Sequence, residues 1–184
     1  GIISVLNDKI FEHTHINNIG IEFGLLNPGV DIKKYPVCYA SHAAADGVNA
    51  IIKSKKIIIE DIDKIICTVP PIIASNLTFH NPKTVKEAQF SLEFSIAMIL
   101  KYGDIKLEHL SSDFIMNSDI QNLISKVKTC VGKLPKNVSP SSRICPEWSN
   151  VELFTSDGER HEKFVGSPLG SSINPLSENM LYKK

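Results

Sequence analysis

The chain of 184 residues carries twenty basic and twenty acidic residues, so its formal net charge at pH 7 is zero, and 42% of its residues are apolar. This length and apolar share suffice for one packed domain, while the charge balance excludes a global field that would draw the chain to nucleic acid or anionic lipid. No apolar run approaches the roughly 18 residues of a membrane-spanning helix, and the N-terminus lacks the basic-then-apolar pattern of a secretory signal.

Residues 1–32 are loosely patterned, with a turn signal at Asn27-Pro28-Gly29. The chain opens on Gly1 without an initiator Met, as a piece of a longer protein would. The segment from Lys33 to His42 places a lysine, a thiol (Cys38) and an imidazole within ten residues. Pro36 biases Tyr35 towards extended backbone, and Ser41 is a natural N-cap for the Ala-rich run behind it. A helix is expected over 41–54, with Ala44, Val48, Ile51 and Ile52 on one face. Its start would offer unpaired N–H groups and a positive dipole end, which favour a carboxylate. Lys33, Cys38, Ser41 and His42 are therefore candidates for a small-acid site. The competing reading is a surface lysine pair with a capping serine and an incidental histidine.

Further along, residues 60–63 read as a polar turn and 64–69 as a buried strand, stopped by Pro70-Pro71. Thr84 and Glu87 form a capping box that opens a helix running to Gly103. Its two apolar stripes, Ala88/Leu92/Ile96/Ile99 and Phe90/Phe94/Ala97, predict a central helix with both phenylalanines in the core. A second capping box, Ser118 with Gln121, predicts a helix through Ile120, Leu123, Ile124, Val127 and Val131 to a stop at Gly132. Residues 133–149 read as a loop anchored by Trp148. Strands are expected over 151–156 and 160–165 around a two-residue turn at Asp157-Gly158. The tail is turn-rich, with a short helix from Ser177.

This order predicts an α+β fold with helices packed on a mostly antiparallel sheet. The helices at 41–54 and 84–102 should share one face of a sheet that contains 64–69 and the 151–165 hairpin. Four scattered cysteines with no C-x-x-C pair read as reduced thiols in a cytoplasmic protein. His13 and His15 lack further ligands at metal-site spacing, so no metal is expected.

Four segments resemble the MmgE/PrpD family, which includes 2-methylcitrate dehydratases, cis-aconitate decarboxylases and iminodisuccinate epimerases. Lys33-Lys34-Tyr35-Pro36 through Ser41-His42-Ala43-Ala44-Ala45-Asp46 is similar to the family's K-x-Y-P-C-C-x-x-T-H-x-A-x-D. Residues 87–97, EAQFSLEFSIA, are similar to its E-A-x-F-S-L-x-Y-x-x-A helix. The Thr155-Ser156-Asp157-Gly158 turn and the Gly170-Ser171-Ser172-Ile173-Asn174-Pro175-Leu176-Ser177 tail follow in the family's order.

The resemblance implies a cofactor-independent lyase, a dehydratase, acting on a small di- or tricarboxylate by proton abstraction beside a carboxylate. The alternatives are an isomerase or epimerase of the same family and a non-catalytic binding or dimerisation module. It further implies that residues 28–166 are the family's small α+β domain, that 1–27 belong to a helical domain or linker, and that 167–184 return towards that domain. The chain by itself would then be inactive, and the parent a homodimer. Lys33 falls on the motif lysine and is the catalytic candidate. Cys38, Ser41, His42 and Ser91 are the substrate-binding candidates, with Lys33 and His42 partly exposed where the helical domain would cover them. Cys38 stands where decarboxylase-type members carry a histidine. Leu169 stands where the tail usually has a lysine.

Overall fold

The structure, a computed structural model, describes residues 19–21, 23–27, 29–135 and 146–182; His13, His15 and Cys145 lie outside them. The chain divides into units 1–31 and 32–184. In the first, Ile19, Ile21, Phe23, Leu25 and Leu26 are exposed, and a turn closes with the Leu26 N–H on the Phe23 carbonyl.

The second unit holds α1 (His42–Lys55), β1 (Ile62–Val69), α2 (Pro71–Asn76), α3 (Val85–Gln89) and α4 (Leu92–Tyr102). There follow α5 (Ser112–Ile115), α6 (Ser118–Ser125), β2 (Val127–Val131), β3 (Ser149–Thr155), β4 (Arg160–Val165) and α7 (Glu178–Tyr182). The sheet order is β2-β1-β3-β4. Only β1 and β2 run parallel; β1–β3 and β3–β4 are antiparallel. The fold is α+β on a mostly antiparallel sheet, as the element order predicts.

Alternation along β1 sends Ile65, Cys67 and Val69 into the core and leaves Lys64 exposed. Register partners share a face, so Thr129, Cys67 and Val151 line the same side. Helix α1 lies on that side, with Gly47 against the Val151 and Val165 side chains. Helix α4 reaches the same side through a Glu93–Thr129 hydrogen bond. Between them lie Val48, Ile51, Leu92, Phe94, Ile96 and Ile99, all buried.

Three expectations need correction. The helix expected over 84–102 breaks at Phe90–Ser91 into α3 and α4, because the Ser91 hydroxyl accepts the Phe94 N–H and starts a new helix. Phe90 therefore points outwards, 45% exposed, while Phe94 is in the core. The helix expected to run from 118 to 131 ends at Ser125, capped by Asn117 rather than Ser118, and Val127–Val131 is strand β2. Its β-branched Val127, Thr129 and Val131 suit a strand, and pairing with β1 decides the conformation. The hairpin loop has three residues, Ser156 to Gly158. Thr155 N–H bonds the Glu159 carbonyl, and Gly158 N–H closes on Thr155 at φ 91°.

Candidate functional site

Lys33 to Cys38 approach α1 through bent backbone, and the side chains that follow are fixed one by one. Tyr35 is buried, and its hydroxyl donates to Asp46 Oδ1 at 3.3 Å. Burial and the Asp46 charge push its pKa far above the ordinary tyrosine value. Lys34 Nζ lies 3.1 Å from the same oxygen and 4.5 Å above the Tyr35 ring. Asp46 Oδ2 accepts the Leu169 N–H at 2.7 Å. Asp46, the last letter of the first motif, thus gathers three donors. Its role is invisible in sequence because one of them is 123 residues away.

Lys33 is exposed and lines a recess of about 640 Å³ with Lys34, Lys106, Leu107, Leu176 and Met180. Of the three lysines, Lys34 is paired with Asp46, and Lys106 has Glu108 at 3.6 Å. Lys33 has no ion pair among the described residues, so it is the cation best placed to meet an incoming anion. Leu107 is largely exposed beside it, and sequence reading had missed this loop.

The other candidates are placed differently. Cys38 is half-buried; its N–H donates to the Gln89 carbonyl at 2.8 Å. Its own carbonyl accepts both the hydroxyl (2.9 Å) and the N–H (3.1 Å) of Ser41. Ser41 sits at the N-cap position of α1 but caps no helical N–H with its side chain. The turn Tyr39–Ser41 precedes α1, and the His42 N–H bonds the Tyr39 carbonyl. Ser41 to Ala45 are all buried. The helix start expected to receive a carboxylate is therefore closed inside the domain.

His42 is likewise not on the surface: it is 0% exposed, against the expectation of partial exposure. Its ring packs against Tyr35 and Tyr39, at centroid distances of 5.1 and 4.9 Å. Neither nitrogen makes a hydrogen bond of ordinary geometry, although the backbone of Tyr35 and Val37 lies near enough to favour the protonated ring. Burial, assisted by the Lys33 charge, outweighs this and lowers its pKa to about 4, so the ring is neutral at pH 7. Ser91 is buried as the cap of α4, and Ser95 Oγ lies 2.9 Å from its carbonyl and 3.1 Å from Ser41 Oγ. The structure thus brings Ser41, Ser91 and Ser95 together as a packing joint between α1 and α4. Of the candidates, Lys33 is exposed at the recess and Cys38 is half-buried against the core.

A second buried polar group was not foreseen. Glu93, in the first turn of α4, accepts from Thr129 Oγ1 at 2.8 Å, and His80 Nδ1 lies 2.8 Å from the same carboxylate oxygen. Its other oxygen is buried without a hydrogen-bond partner among the described residues. A glutamate inside an otherwise apolar helix start gave the only sequence signal. Among the described residues no three His, Cys, Asp or Glu side chains group as a metal site would, and no helix is long and apolar enough to cross a membrane.

The model of the MmgE/PrpD C-terminal domain matches residues 35–184. This chain belongs to the MmgE/PrpD family. No curated protein matches it. The matched span takes in the whole sheet, helices α1 to α7 and the tail that reaches Asp46, and it begins two residues after Lys33.

Proposed function

We propose that this MmgE/PrpD C-terminal domain is the small-domain part of a cofactor-independent lyase that dehydrates a small di- or tricarboxylate. The observation that supports this best is Lys33: it is exposed beside a recess and has no anionic partner among the described residues, and its place, two residues before the matched span, is where the resemblance puts the family's motif lysine. An ammonium there would bind a substrate carboxylate and stabilise the enolate left when the neighbouring carbon loses its proton. The departing hydroxyl would then leave as water. A proton acceptor and donor must flank the reacting carbon, and we assign those that this domain does not supply to a helical domain elsewhere in the parent protein. In this reading the parent is a cytoplasmic homodimer.

An epimerase of the same family would use the same first step and return the proton to the other face. The non-catalytic reading draws support from His42, Ser41 and Ser91, three candidates that are buried and committed to packing. Proton NMR of the full-length protein with 2-methylcitrate, citrate, cis-aconitate and iminodisuccinate separates these readings. Loss of water supports the lyase, inversion without water loss the epimerase, and no change with any acid the non-catalytic module.

A further inference from the structure

Lys33 itself makes no side-chain bond among the described residues, yet the backbone on both sides of it is tied down. On the near side, the Ile32 N–H donates to the Gly170 carbonyl at 2.7 Å. On the far side, Lys34 and Tyr35 both bond Asp46 Oδ1. The two ties meet in the tail, because Asp46 Oδ2 accepts the N–H of Leu169, the residue next to Gly170. A closed circuit results: Ile32, Lys33, Lys34 with Tyr35, Asp46, Leu169, Gly170 and back to Ile32.

Two features show that this circuit is built to a close tolerance. Gly170 has φ 101°, a conformation that residues with a Cβ rarely adopt, and a Cβ there would collide with the Ile32 carbonyl. Asp46 is nearly buried, with 14% of its side chain exposed, and its carboxylate is satisfied on both oxygens. Replacing it by Asn would replace an ionic acceptor for Lys34 and turn one acceptor oxygen into an NH₂ donor facing another donor. The tail turn is itself held by the Gly170 N–H on the Asn174 carbonyl and by buried Leu176.

We infer that Asp46 and Gly170 are positioning residues for Lys33, which hold its backbone from both sides through the tail turn at Leu169–Gly170. This rests on the reading of Lys33 as the residue that meets substrate. An ammonium at the end of a four-carbon chain keeps a fixed place only if its backbone does. A displacement of about 1 Å at a reacting group lowers turnover by as much as about a hundredfold. The tail, remote in sequence, would thus set the reactivity of a residue near the other end of the domain.

The test uses the full-length parent protein, with Lys33→Met as reference. Asp46→Asn and Gly170→Ala should each lower kcat by about tenfold to a hundredfold while KM changes much less. In Asp46→Asn the amide of Ile32 should also exchange its hydrogen faster, although Asp46 does not touch it. Tyr35→Phe removes one link and keeps the ring packing. It covers the case in which Asp46→Asn does not fold, and must then speed Ile32 exchange and lower kcat. Folded variants with normal kcat, or Ile32 exchange unchanged when the Asp46 link is cut, would overturn the inference while leaving Lys33 in place. Normal turnover by Lys33→Met would remove the functional reading, and this inference with it.

Discussion

The imidazole of His42 meets the ring of Tyr35 nearly edge-on, with centroids 5.1 Å apart and planes inclined at 64°. Burial of the ring, assisted by the Lys33 charge, outweighs the nearby backbone of Tyr35 and Val37 and lowers its pKa to about 4 against an ordinary 6.5. Above pH 6.5 the ring is neutral in folded and unfolded chains, so it adds no pH dependence. Between pH 6.5 and about 4 the unfolded chain takes up a proton that the folded chain refuses, and stability falls as pH falls. The full loss, reached below pH 4, is about 3 kcal/mol. Urea unfolding midpoints across this window should therefore drop more steeply for the native chain than for His42→Phe. Equal slopes would show that the ring is not buried neutral.

Glu93 makes an opposite kind of prediction. Its carboxylate is inside the domain, 4% exposed, held by Thr129 and by a His80 ring that is itself 64% exposed. Removing a donor leaves the buried charge less satisfied, so His80→Ala or Thr129→Val should destabilise by about 1–3 kcal/mol. Glu93→Met removes the buried carboxylate, while Thr129, half-buried, and His80, exposed, can turn to water, so it should be neutral or stabilising. Chemical denaturation of the three variants decides this. A Glu93→Met chain less stable than His80→Ala would mean that the carboxylate strengthens the fold.

The adjacent lysines should separate by phenotype. Lys34 is partly buried and tied to Asp46, so Lys34→Met should lower the melting temperature. Lys33 is exposed, so Lys33→Met should change stability by no more than about 0.5 kcal/mol. A melting temperature that falls as much for Lys33→Met as for Lys34→Met would place Lys33 in the fold rather than at the recess. For turnover the order should reverse, and Cys38→Ala should matter less than Lys33→Met, because a half-buried thiol lines a surface more readily than it attacks.

Much of the fold was legible because its signals are local. The Thr84 cap receives the Glu87 N–H as the capping box predicts, Gly103 ends α4 in the left-handed conformation, and β1 stops at Pro70. The misreadings arose where a pattern served two conformations. Ile120, Leu123, Ile124, Val127 and Val131 follow helical spacing, but the free edge of β1 claims Val127–Val131 as a parallel strand. Nothing within ten residues of Val127 reports that edge. The pattern over 84–102 places Ser91 inside one long helix. It is instead the cap that divides two helices, and its neighbour Phe90 turns outwards as a result. For the site, the exposure expected of Lys33 is found, whereas His42 is buried because the aromatic cage around it forms only when the chain bends. The reach of Asp46 to Leu169 depends on tertiary structure and leaves no local trace.

Lys33 is the residue on which turnover should depend most directly. Full-length protein and its Lys33→Met variant would be assayed by NMR against the four carboxylic acids, beside the purified 184-residue chain. The native full-length protein should turn over at least one of them, Lys33→Met should fold normally and be slower by about a hundredfold or more, and the 184-residue chain should be inactive. Normal turnover by Lys33→Met, or turnover by the 184-residue chain alone, would contradict this.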